Sequence, residues 1–319
     1  MKGLTDIPGI RVGHASDFDA LTGCTVVLCE QGAVAGCDIR GAATGTEEFD
    51  LLNPLHLADR IHAVVLAGGS AFGLEAASGV RRYLERKGVG FQTSVARIPL
   101  TPCAILFDLG IGKANVRPTR EMGEKAAAAA HDGPVEEGSV GAGTGATVGK
   151  LFGMSRAMKG GIGAYTVSLE GYAGPVKVAA LAAVNALGDI LDPSTGKIVA
   201  GARKSAASAE FENSAEAMKH GAAGGFAREN TTLVVVATDA RLTKVAATKL
   251  AQLAAVGMAR SISPVWTMSD GDVVIALSAG AQEANINNLG VAAAEAVAQA
   301  ILRGVRTAKG LGGIPGLAK

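Results

Sequence analysis

The chain has 319 residues, enough for one large domain or two ordinary ones with a sizeable core. With 30 Lys and Arg against 29 Asp and Glu, and no long basic run, the composition argues against nucleic acid or an anionic membrane as the main partner. Aromatics make up 4% of the chain, too few for base-stacking platforms, whereas 44 glycines suit close backbone packing and tight turns.

The start, MKGLTDIPGIRVGH, lacks the apolar stretch of a secretory signal, and no segment has the roughly 20 apolar residues of a membrane span. A cytoplasmic location is therefore expected. Cys24, Cys29, Cys37 and Cys103 form no CxxC pair and read as reduced, buried thiols. TVVLCE (residues 25–30) reads as a short strand, followed by Gly32 and AVAGCDIRG. HAVVLAGG (62–69) reads as a buried strand ending in a glycine pair. Ser70 then stands at an N-cap position, Leu74, Ala77, Val80 and Leu84 follow at helical spacing, and Gly88 suits a C-cap. VKVAALAAVNALGDILD is apolar enough for a buried strand or helix, and Gly188 and Pro193 favour the strand. From about Arg203 to Arg228 the chain turns polar and Ala-rich, an exposed connector with some helical tendency that tolerates a chain break. TTLVVVATD then opens a buried strand. Leu242, Val245, Ala246, Leu250 and Leu253 predict one apolar helix face, GDVVIALS a further strand, and Ala294, Val297, Ile301 and Val305 a last helix. The pattern is α/β throughout, and residues 231–319 form a β-α-β-α unit expected to share a sheet with what precedes it.

The common active-site patterns are mostly absent, with only a loose G-x-G-x-x-G/A fit at Gly141, Gly143 and Ala146, which no convincing strand precedes. No GxSxG occurs, since Ser70 lies in GGSAF. No HExxH occurs, and His14, His56, His62, His131 and His220 are scattered without metal-ligand spacing, so no metal or organic cofactor is expected. GAGTGATVGKL fails as a phosphate loop because Thr144 and Leu151 occupy its required Gly and Ser/Thr positions; it reads as backbone packing or a substrate-facing loop. Asn230-Thr231 remains. A threonine that heads a chain can use its own α-amine, of reference pKa about 7.7–8.0, as the base that activates its hydroxyl. A loose connector precedes Thr231 and a strong strand follows it. By position alone the residue reads first as a strand opener, and Thr232 is equally eligible.

Eight segments in order are TDIPGIRVGH, RGAATGTEEFDLL, VVLAGGSAFGLEAASGV, RIPLTPCAILFDL, GTGATVGKLFGMSRAMKGGIG, VNALGDI, NTTLVVVATDA and SDGDVVIALS. Together they resemble the self-processing peptidase family of β-aminopeptidases, D-aminopeptidases and nylon-oligomer (6-aminohexanoate oligomer) hydrolases, with Asn-Thr and Asp-Gly-Asp closest to the nylon-oligomer branch. The resemblance implies an αββα sandwich of the N-terminal-nucleophile-like type shared with ornithine acetyltransferase. It implies a single-domain precursor, residues 1–319, cut at Asn230-Thr231 into an α chain 1–230 and a β chain 231–319, with Thr231 rather than Thr232 as nucleophile. It also implies a homo-oligomer of four αβ units and a small peptide or amide substrate. Lys159 matches the family's lysine near the nucleophile; a cation there lowers the amine's pKa, although an isolated lysine usually lies on the surface. Asn185 matches an asparagine whose amide is a donor for an oxyanion, or simply makes a strand-end hydrogen bond. Asp270 and Asp272 match an acidic pair that tunes proton transfer, with Gly271 expected to serve a turn. Ser70 and Phe72 fall in the substrate-binding segment, and Phe72 stands where a tyrosine hydroxyl is expected. Two other functions fit the same sequence: acyl transfer of the ornithine acetyltransferase type, and a non-catalytic scaffold.

Overall fold

A computed structural model describes residues 2–223 and 230–319. The principal strands are β1 (Arg11–Asp17), β2 (Thr22–Ile39), β3 (Arg60–Ala67), β4 (Cys103–Ile105), β5 (Ile162–Leu169), β6 (Val176–Asn185), β7 (Thr231–Ala240) and β8 (Val273–Gln282). The principal helices are α1 (Glu75–Arg86), α2 (Arg120–Ala128), α3 (Lys244–Ser261) and α4 (Ile286–Arg306). One hydrogen-bonded path runs β5-β6-β7-β8-β2-β3-β4, with β1 also paired to β2. Strands β7 and β8 are parallel, joined by α3; β6 lies antiparallel to β7 on its other side. The β-α-β-α unit thus shares its sheet with the rest of the chain.

The path folds on itself through β2. This strand is 18 residues long, not the short run that TVVLCE alone suggests. Its first half pairs with β1 and β3, and its second half pairs with β8. Between Leu28 and Ala33 the register shifts, and Gly32 there has φ +79°, a conformation that costs glycine little. The strand bends at this point and turns one path into two stacked layers.

Side-chain alternation then sorts the core into three. Val178, Ala180, Ala182 and Val184 of β6 face α3 and α4 with Val234 and Val236 of β7. Ala179, Leu181, Ala183, Leu233, Val235 and Ala237 face the other layer, meeting Val27, Val64 and Leu66 between the sheets. Val26, Ala63, Val65 and Ala67 face Ala77, Val80 and Leu84 of α1 and Ala126 and Ala127 of α2. Helices, sheet, sheet and helices make the αββα sandwich. A segment buried on both faces reads as an unbroken apolar run, which is why VKVAALAAVN showed no period.

Two local readings change. Ser70 does not cap α1: it opens a 3-10 turn, Ser70–Leu74, with its own φ at +54°, and α1 starts only at Glu75. The buried face of α3 is Ala247, Leu250, Ala251, Ala254 and Met258, whereas Val245 is 68% exposed and Leu242 precedes the helix. Alanines supply that face, so a search for large apolar residues misplaced it. The connector holds a short helix, Ser214–Lys219, and is tied down by Asp189, whose carboxylate accepts from the amides of Ala202 and Ser214. Residues 224–228 of that connector lie outside the described residues. Among the described residues, no helix is long and apolar enough to cross a membrane.

Leu181 is fully buried between the two sheets. Leu181→Ala is expected to lower unfolding free energy by about 2–5 kcal/mol, seen as a lower urea midpoint with an unchanged slope.

Candidate active site

Strand parity places the two threonines on opposite faces. Thr231 shares its side with Leu233 and Val235, facing the space between the sheets, whereas Thr232 shares its side with Val234 and Val236, facing the helices. Thr231 pairs in register with Asn185 at the end of β6, so both side chains belong to the inter-sheet end of the sandwich. On the other side, Asn230 forms a parallel bridge with Asp270, and the main ladder of β7 with β8 begins at Leu233 and Val273. Thr232 N donates instead to Asp272 Oδ1 at 2.6 Å.

Thr231 Oγ1 donates to the Asn230 carbonyl oxygen at 2.6 Å. The Gly271 amide donates to the same oxygen at 2.7 Å. Gly271 is therefore not a turn residue: the turn lies just before it, at Met268 and Ser269, and Gly271 follows as the bridging strand-edge residue. A Cβ on residue 271 would stand 2.7 Å from Thr231 Oγ1 and 2.8 Å from the Ala43 carbonyl oxygen, so only glycine fits this approach.

Asn185 is held at every polar atom of its side chain. Its Oδ1 accepts from Thr147 N and Lys150 Nζ, each at 3.0 Å, and its Nδ2 donates to the Phe107 carbonyl at 3.0 Å. Lys150 Nζ also donates to the Asn185 carbonyl at 3.0 Å. Lys159 is fully buried, not a surface lysine. Its Nζ donates to the carbonyls of Thr144 and Ala146 at 2.9 and 2.6 Å, beneath the turn that presents Thr147 to Asn185. Burial lowers its pKa to about 7, with the charge of Asp108 opposing and that of Lys150 adding to the fall. Asp108 is buried too; it accepts from Thr22 Oγ1 at 2.7 Å and the Gly69 amide at 2.7 Å, and desolvation raises its pKa despite these donors.

The acidic pair is buried and divided in its bonding. Asp270 accepts from Thr267 N and Oγ1 at 2.9 and 2.6 Å, while Asp272 accepts from Thr232 N. Burial and the neighbouring Asp270 push Asp272 up to about 8. Ser70 N donates to the Leu106 carbonyl, next to the Phe107 that holds Asn185. Phe72 is 57% exposed and stacks on Arg117, and no described contact joins it to Thr231. The structure thus gathers Asn230, Thr231, Asn185, Asp270 and Asp272, with Lys159 one layer behind, and leaves Phe72 outside. Four histidines, His14, His56, His62 and His131, hold local hydrogen bonds elsewhere.

Sequence reasoning missed Lys150, Thr147, Asp108 and Thr267. Lys150 lies in GAGTGATVGKL, the segment that fails as a phosphate loop. The signal available was the acceptor-rich carbonyl end of a strand at Asn185 beside a Gly-rich turn, which does not single out any one lysine. The described residues contain no cluster of three or more His, Cys, Asp and Glu able to hold a metal ion.

The layers are those of the N-terminal-nucleophile hydrolase fold. The solved L-aminopeptidase D-Ala-esterase/amidase of Ochrobactrum anthropi, described as a variant of that fold, superposes with a TM-score of 0.73 at 19% identity, over 98% of this chain and 88% of that one. A Burkholderia sp. β-aminopeptidase superposes with a TM-score of 0.68 at 24% identity, over 96% of this chain and 87% of that one. The chain belongs to peptidase family S58, which it matches over residues 2–318. An uncharacterised aminopeptidase of Mycobacterium tuberculosis is 40% identical, over 99% of this chain and 96% of the relative. A 6-aminohexanoate-oligomer endohydrolase of Kocuria sp. (strain KY2) is 29% identical, over 94% of this chain and 85% of the relative.

The raised Asp272 has a consequence for stability. Its folded pKa, about 8, lies above the ordinary 3.8, so the folded state binds more protons between these values and stability is lost as pH rises toward 8. Asp189, also raised, to about 6, slopes the same way but is common to any Asp272 variant. In a Thr231→Ala background, the fall in unfolding free energy between about pH 5 and 7 is expected to be shallower after Asp272→Asn. Urea titrations at several pH values check this; equal slopes would show that Asp272 is ionised in the folded chain.

Proposed function

We propose that this chain is a precursor that cuts itself between Asn230 and Thr231 and then hydrolyses small amides with Thr231 as an N-terminal nucleophile. The observation that supports this reading best is the 2.6 Å contact between Thr231 Oγ1 and the oxygen of the bond to be cut, at the head of a fully buried strand. A rigid strand holds a nucleophile more closely than a loop does. The cut leaves chains 1–230 and 231–319 of a single domain, the second of 319 − 230 = 89 residues.

In the mature protein the freed α-amine, with a reference pKa of about 7.7–8.0, takes the hydroxyl proton as Oγ1 attacks the substrate carbonyl. An acyl-enzyme forms, the leaving amine departs with that proton, and water then releases the acid. Asp272, which accepts from the next amide along, compensates the charge of the protonated amine when it is itself ionised. Asp270 holds the Thr267 turn around the site. Lys159 acts through the Thr144–Thr147 turn, as a positioning residue for Asn185. The cavity beside Asn185, lined by Phe107, Asp108, Thr147 and Lys150, measures about 20 Å³, room for about one water. On this reading the substrate's acyl group takes the place that Asn230 holds before the cut.

The substrate class is a small peptide, β-peptide or ω-amino-acid oligomer, in line with the names of the relatives. Thr231→Ala is expected to stay a single chain and to lose hydrolysis of short chromogenic amides. Thr231→Ser is expected to cut and to hydrolyse, because it keeps the hydroxyl and the amine. Gel mobility and release of the chromophore check both; a Thr231→Ala protein that cuts and hydrolyses like the unsubstituted one contradicts the proposal.

A further inference from the structure

The Asn230 carbonyl oxygen has two hydrogen-bond donors among the described residues, Thr231 Oγ1 and Gly271 N. Only one of them survives the attack. As the bond from Oγ1 to the Asn230 carbon forms, the hydroxyl gives up its proton and can no longer donate. The carbonyl electron pair moves onto oxygen at the same moment, so the demand for a donor is greatest when the hydroxyl is lost. Asn185, whose amide reads as a donor for an oxyanion or as a strand-end hydrogen bond, makes no hydrogen bond to this oxygen among those of the described residues: one Nδ2 N–H faces the Phe107 carbonyl, and Oδ1 is fixed by Thr147 and Lys150. Turning its amide would put Nδ2 against the Lys150 ammonium and the Thr147 N–H, both donors, at the cost of two hydrogen bonds.

We infer that the main-chain N–H of Gly271 is the oxyanion donor of the self-cleavage, and that the same N–H, vacated when Asn230 leaves, receives the carbonyl oxygen of the amide substrate. The inference rests on the cleavage proposed above and adds to it the group that stabilises its intermediate. The step is balanced: the Oγ1–carbon bond forms, the carbon–nitrogen bond breaks, and the hydroxyl proton ends on the Thr231 nitrogen, now an amine. Water then hydrolyses the ester to the Asn230 carboxylate and the free hydroxyl. Geometry favours the amide for this task. It is fixed by the bridge of Asn230 with Asp270, and the neighbouring Asp270 carbonyl is anchored by Ala43 N at 2.9 Å. The 2.7 Å distance already lies within the range of an oxyanion donor. The missing Cβ leaves the approach to Thr231 Oγ1 open. Asn185 becomes a positioning residue that keeps the end of β6 in place opposite Thr231.

The test replaces residue 271 with glycolic acid by cell-free translation, which changes the amide to an ester and removes only the N–H. Cleavage is followed beside the unsubstituted chain. A fall of about 100-fold or more is expected, and cleavage at the unsubstituted rate overturns the inference. If the unsubstituted chain itself stays whole, it is the self-cleavage that fails, a distinct result. Should the ester chain not fold, as judged by circular dichroism, hydrogen exchange of the Gly271 amide in the unsubstituted protein decides. Protection is expected in Thr231→Ala precursor, loss of it after cleavage, and its return with a short acyl boronate that bonds Thr231 Oγ1. Equal exchange in all three states overturns the inference.

Discussion

The parallel pairing of β7 with β8 is the constraint from which the site follows. Leu233 opposite Val273 fixes the register, and the three residues before each of them are then brought together whatever their side chains. Asn230 meets Asp270, Gly271 reaches the Asn230 carbonyl, and Asp272 reaches the Thr232 amide. A slip of one residue would turn Thr231 toward the helices and Thr232 toward the inter-sheet space. The apolar cores on both faces of β7 oppose such a slip, because Leu233, Val235 and Ala237 belong to one and Val234 and Val236 to the other.

Around this pairing the protein buries charge that an ordinary core would avoid. Lys159, Asp108 and Asp272 are all shifted toward their neutral forms by loss of water. Each is nevertheless hydrogen-bonded, to carbonyls, a hydroxyl or amides, so none is an orphan. Lys159, at about 7, and Asp272, at about 8, sit near the middle of the pH scale, where proton movement costs little. Under the proposed function, that is the setting in which the Thr231 hydroxyl, otherwise a weak nucleophile, works. Thr232 Oγ1, by contrast, is buried without a partner among the described residues and faces away from this cluster.

Much of the layering was legible in the sequence, and the reason is alternation. Continuous apolar runs at 63–67, 178–184 and 233–237 signal strands buried on both faces, even where their period does not decide. Ala294, Val297, Ile301 and Val305 gave the last helix correctly because that face is broad and apolar. The face of α3 was misplaced because alanines line it, and alanine carries little weight in a pattern of large residues. Ser70 misled for a related reason: the residue type fits a cap, but a left-handed backbone and an intervening 3-10 turn are not written in residue type. At the site, Thr231, Asn185 and the aspartates are named by family resemblance, and the structure brings them together. Lys150 and the Gly271 amide were not found. One lay in a motif that failed for another purpose, and the other is a main-chain group that acquires meaning only from its partner across the strands.

The self-cleavage is the central claim, and the state of the chain tests it most directly. Intact-mass analysis with N-terminal sequencing of the purified protein is expected to show two chains, the shorter of 319 − 230 = 89 residues and beginning Thr231-Thr232-Leu233. A single chain of 319 residues after prolonged incubation, or a break at any other bond, would contradict the account.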